Sequence, residues 1–162
     1  MASSLELSRE ERALYNPAFA AVLCTRAVQG YDKQYAGPCP LPIAVTAAVM
    51  ALQPSIRTVL PATTGTGLMG WLDAHDEVPV AMARNASTVA SVVRPGLLFA
   101  LQGRVLEYGD GGLTLVAGAL GKTVSAETEQ SFVIQKAAVQ LGRWLPSTGS
   151  ISTILTLLGV KP

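Results

Sequence analysis

The apolar positions of this chain fall into blocks punctuated by proline, glycine and capping residues, and most of the blocks repeat at helical spacing. Asn16-Pro17 offers a side-chain cap followed by a proline in the first turn, and Gly30 supplies a stop, so a helix is expected over about 17–29. Phe19, Val22, Leu23, Ala27 and Val28 make most of its circumference apolar, leaving Arg26 and Gln29 as polar relief. Such a helix belongs at the centre of a core. A loop rich in Gly and Pro, Tyr31 to Pro40, leads to a second helix running from near Pro42 to before Pro54. Ser55 is placed to cap a short turn through Val59, which Pro61 ends. Thr64 or Thr66 is a candidate cap for a segment through Ala74 that carries Leu68, Met69, Trp71 and Leu72.

Asp76-Glu77 then place negative charge before a helix near 79–92. Pro95 divides the pattern, with Val89 and Val93 before it and Leu97, Leu98 and Leu101 continuing after it. We read two helices at an angle, 79–92 and 95–104, with one kinked helix as the alternative. Leu106 to Val116 follows as a β-hairpin in which Asp110-Gly111-Gly112 tolerate positive φ. Two helices followed by strand, turn and strand are the order of a winged helix. The expected fold is therefore mainly α with one β-hairpin, a winged-helix-like α+β domain. Ala117 to Ser125 reads as a loop. A long helix over about 126–145 carries Val133, Ala137, Leu141 and Trp144 on one stripe and is stopped by Pro146, and Ser150 caps a last helix that ends at Leu158-Gly159. The organisation expected is a flexible leader over 1–14 and one helical domain over 15–162.

A chain of 162 residues buries about two-thirds of its unfolded surface. A net charge of +1, with 14% charged residues, creates no field strong enough to hold DNA or an acidic membrane by charge alone. The longest apolar run, Ile43 to Leu52, contains Thr46 and falls short of the ~20 residues a membrane span needs. The first residues lack the basic start and apolar core of a signal peptide, so a cytoplasmic location is expected. In that compartment Cys24 and Cys39 are expected to remain unpaired. With 49% hydrophobic residues and a mean hydropathy of +0.37, apolar surface in excess of the core is expected to meet a permanent partner.

Several short motifs resemble chemistry without its context. Gly65-Thr66-Gly67-Leu68-Met69-Gly70 has dinucleotide-binding spacing, but Pro61 breaks the only segment that could precede it as a strand. The alternative is that these small residues allow close packing at a helix start. Gly118-Ala119-Leu120-Gly121-Lys122-Thr123 resembles the end of a phosphate-binding loop, yet Val116 stands where the leading glycine is required. His75 lies among Asp73, Asp76 and Glu77, a pattern that fits a solvated helix end better than a base and its orienting carboxylate. One histidine and two distant cysteines offer no metal-ligand spacing, so no metal or cofactor is assigned. Arg94 and Arg104 bracket the helix before the hairpin, whereas the hairpin itself carries Glu107 and Asp110. That makes a poor phosphate reader, and DNA contact is expected to be weak or indirect.

Leu14-Tyr15-Asn16-Pro17-Ala18-Phe19, Leu41-Pro42, Leu97 to Leu101 running into Gly109-Asp110-Gly111-Gly112-Leu113, Leu141 to Leu145, and Leu158 to Pro162 together span nearly the whole chain. In their order they resemble the small middle component of bacterial three-component ABC systems. The resemblance implies two partners: a large coiled-coil ATPase of the structural-maintenance-of-chromosomes or Rad50 type, and an effector such as a nuclease or other toxin, in anti-phage or anti-plasmid defence of the Lamassu kind. It implies an adaptor without catalytic residues. Tyr108, Asp110, Leu113 and Trp144, near the hairpin and carboxyl end, are the candidate partner contacts. A winged-helix transcription regulator and a small enzyme with an unrecognised site are the alternatives.

Overall fold

The structure, a computed structural model, describes residues 14–160, so all but the last residue of the expected leader lies outside it. Helix α1, Pro17–Asp32, is the hub of the helical packing. The Asn16 side-chain oxygen accepts from the Phe19 N–H at 2.9 Å, satisfying one of the first-turn donors as its position before Pro17 suggests. Around α1 pack α2 (Leu41–Ala51), α5 (Glu77–Gln102) and α6 (Glu129–Trp144), and α5 and α6 each also pack on α2. Short helices α3 (Pro54–Arg57) and α4 (Leu68–Ala74) connect them. After α6 come a 3-10 turn, Leu145–Thr148, and α7, Ile151–Leu157, capped by the Ser150 hydroxyl as expected.

Gly30 does not stop α1. It sits inside the helix, where a side chain would run into the Val139 carbonyl of α6, and Gly142 of α6 is equally close to the Ala27 carbonyl. The paired glycines let two antiparallel helices meet backbone to backbone, a clearance that only the packing reveals.

Pro95 does not divide the next segment either. A single helix runs from Glu77 to Gln102, replacing the two angled helices on which the winged-helix expectation rested. Pro95 lies on the exposed side, while Val89, Val93, Gly96, Leu97 and Ala100 carry one buried face straight past it. An interior proline costs about 3 kcal/mol. Continuous burial of that face against α1 offsets the cost. Contact is close at Gly96, where an added methyl would lie 2.8 Å from the Pro17 carbonyl and 2.5 Å from Ala20 Cβ.

The hairpin forms where expected. Strands β1 (Leu106–Gly109) and β2 (Gly112–Leu115) pair antiparallel, with Leu106 opposite Leu115 and Tyr108 opposite Leu113. The two-residue turn uses Asp110 at φ 52° and Gly111 at φ 87°, both in the left-handed region that matches strand twist. β2 is also bound on its other side. Cys39 exchanges both backbone hydrogen bonds with Leu113, at 2.9 and 2.7 Å.

Two tryptophans fasten the segment between α3 and α4. Trp71 donates its indole N–H to the Val59 carbonyl at 2.8 Å and Trp144 donates to Thr66 at 2.6 Å, with the rings edge to face at 5.0 Å. Gln140 of α6 donates to the Pro61 carbonyl of the same segment. Gly67 and Gly70 face open space, so the close packing expected of the 65–70 glycines is absent, and Thr66 contributes a carbonyl instead.

Candidate functional site

The four candidate contact residues divide evenly between surface and core. Tyr108 is 61% exposed, and Asp110 stands exposed at the hairpin tip. Leu113 and Trp144 are fully buried: Leu113 is not the exposed contact its selection assumes, and Trp144 takes the core position that its sequence leaves equally open. Tyr108 and Leu113 are cross-strand neighbours whose side chains share a face of the hairpin. Their different fates follow from position: β2 lies between β1 and Cys39 and also packs on α1, whereas Tyr108 stands near the turn on the outer strand, whose first residue, Leu106, is buried.

Sequence reasoning missed the polar interior of the molecule. Arg26, only 3% exposed, donates Nε–H to Gln135 Oε1 at 2.9 Å. Its Nη1 donates to Gln29 Oε1 at 2.9 Å and to the Gly121 carbonyl at 2.8 Å. Gln29 Nε2 donates to the same Gly121 carbonyl at 3.0 Å. The guanidinium is thus solvated by neutral oxygens, and burial pushes its pKa down. This network ties the 117–125 loop to α1 and α6. The apparent phosphate-loop motif turns its Gly121 carbonyl inward to accept from Arg26 and Gln29.

Cys24 and Cys39 are free and buried, and desolvation raises both thiols from 9.0 to about 12. Such thiols are poor nucleophiles. His75 ends α4, with Nδ1 3.6 Å from Glu77 Oε1 and its ring edge-on to Trp71 at 5.4 Å. That contact joins α4 to the start of α5. Among the described residues no group of three or more His, Cys, Asp or Glu side chains is arranged to hold a metal ion. Nor is any described helix long and apolar enough to cross a membrane.

The conspicuous surface features are apolar. On the carboxyl half of α5, Leu98 is 59% and Phe99 56% exposed, with exposed Pro95 one helical turn before them. The β-hairpin carrying Tyr108 begins at the end of the same helix. A separate open cavity of about 480 Å³ lies between α2 and α5, floored by Val45, Val49, Met82, Ala86 and Ala90 with Arg94 on its wall. Large exposed side chains in this setting are characteristic of surfaces that meet another protein.

The chain belongs to the ABC-three component (ABC-3C) system Middle Component 3 family, whose model matches residues 4–162. It is therefore a component of a multi-protein system and works in the company of other subunits. No curated protein and no solved structure matches it.

Proposed function

We propose that this protein is the adaptor of a bacterial three-component system, joining a coiled-coil ATPase of the structural-maintenance-of-chromosomes type to an effector. It holds the effector inactive until the ATPase meets foreign DNA, in defence of the Lamassu kind. In this reading the chain supplies contacts and no catalytic group, and ATP-driven movement of the partner releases or rearranges the effector. Family membership over residues 4–162 is the observation that carries it. The exposed Leu98, Phe99 and Tyr108 support it, because side chains of that size left in water suit a surface that is covered in an assembly. Co-expression of the chain with its two gene neighbours, followed by affinity purification, is the test. Recovery of both neighbours with the tagged chain is expected, and recovery of neither sinks the adaptor reading.

A further inference from the structure

A bridging subunit needs a second contact surface, and one lies apart from α5, between α3 and α6. There Leu60, Phe132, Val133 and Ala137 form an apolar pocket with Arg57 and Lys136 at its rim. Phe132 and Val133 are exposed neighbours on α6, although apolar side chains of their size are usually turned inward. Lys136 stands 5.7 Å from the centre of the Phe132 ring and has no carboxylate partner among the described residues. Arg57 is held in place by donating to the Ala51 carbonyl at 2.8 Å, and it too has no ion pair among the described residues. Among the described residues no acidic side chain lines the pocket.

Two cations with no carboxylate partner among the described residues, beside an apolar floor, suit an occupant that is apolar at its centre and negative at its edge. The cavity volume, about 200 Å³, lies below the roughly 300–1,000 Å³ of small-molecule sites. It is the size for one anchoring side chain of a peptide segment. Nucleic acid is the less suitable occupant, because phosphate readers array many cations along a track and do not centre on an apolar floor. We propose that the α3–α6 pocket docks an acidic segment of a partner subunit, with one large apolar side chain on Leu60 and Val133 and flanking carboxylates on Arg57 and Lys136. This rests on the adaptor reading above.

The test uses the full chain co-expressed with both gene neighbours. Lys136→Glu and Val133→Ser alter exposed side chains and are expected to leave the melting temperature unchanged. Each is expected to weaken recovery of one neighbour at least about tenfold, the loss from Lys136→Glu being smaller at high salt, while Lys122→Glu in the 117–125 loop has no effect. A benzoylphenylalanine at position 133 is expected to cross-link to a segment of that neighbour containing Asp or Glu beside a large apolar residue. If the native complex forms and neither variant weakens it, the pocket proposal is wrong while the adaptor reading stands. Cross-linking to DNA, or to a second copy of the chain, overturns it equally. Should the native chain recover neither neighbour, both readings fail together.

Discussion

Helix α1 keeps Thr25, Arg26 and Gln29 inside, while α5 leaves Leu98 and Phe99 outside, the reverse of where side-chain polarity alone would send them. The inversion has a different cause in each place. In α1 every polar group that goes inside finds a partner: the Thr25 hydroxyl donates to the Ala21 carbonyl at 2.7 Å, and Arg26 and Gln29 share the Gly121 carbonyl. Burial of a charge is tolerable when the protein replaces its water. On α5 the residues that pack on α1 and α2 are covered, whereas Leu98 and Phe99 lie outside those contacts and stay more than half exposed. The polar interior holds this molecule's own loop, and the apolar exterior is free for another molecule.

The sharpest way to break the inner half of that comparison is to separate α1 from α6. Gly30→Val drives two methyl groups into the Val139 backbone, and a loss of at least about 3 kcal/mol in urea unfolding is expected. A variant within about 1 kcal/mol of the parent, below the usual cost of overpacking, would mean that the helices do not meet as described. Arg26→Ala comes next. It removes the donor that serves three oxygens, and about 2–3 kcal/mol of stability should be lost, with new protease cleavage between Ala117 and Ser125 as the loop is released. Unchanged cleavage there would show that the loop is held by something else.

The buried thiols sharpen the same half through pH. Their folded pKa, raised from 9.0 to about 12, means that the folded state retains protons the unfolded chain releases. Stability from this source is complete below pH 9 and is lost as pH rises towards 12. At pH 8 maleimide labelling of native protein should be on the order of a thousand-fold slower than in denaturant, and rapid labelling of either cysteine would contradict its burial. The smallest stability effect belongs to the outer half. Leu98→Ser and Phe99→Ser should each move unfolding by no more than about 0.5 kcal/mol. Both should nonetheless reduce recovery of a partner subunit in the co-expression test, and a large stability loss in either would make these residues part of the core.

The hairpin was the most legible feature of the sequence, because a turn of Asp110 and Gly111 between alternating residues is specified by backbone conformation alone. The wing reading depends on Pro95 breaking a helix, and packing holds that helix together. Among the candidate contacts, Tyr108 and Leu113 are equally apolar to the eye and share one face of the hairpin. The approach of Cys39, from a loop more than seventy positions away in sequence, and the packing of β2 on α1 distinguish them. The α3–α6 pocket is equally hidden in the sequence, where Val133 falls on the stripe that also holds Ala137, Leu141 and Trp144. Helical spacing groups residues on a side of a helix, and it does not say how far round that side the core extends.

What the sequence by itself determined is local: the caps at Asn16 and Ser150, the chain reversal at Asp110-Gly111 and the mainly helical composition of the rest. These rest on interactions within about four residues, so the residues involved are adjacent in the text. Tertiary structure alone decided that Gly30 is a contact and not a stop, that Arg26 is inside, and that Leu98 and Phe99 are outside. Each of those outcomes depends on which distant element arrives beside the residue, and burial is a property of that pairing.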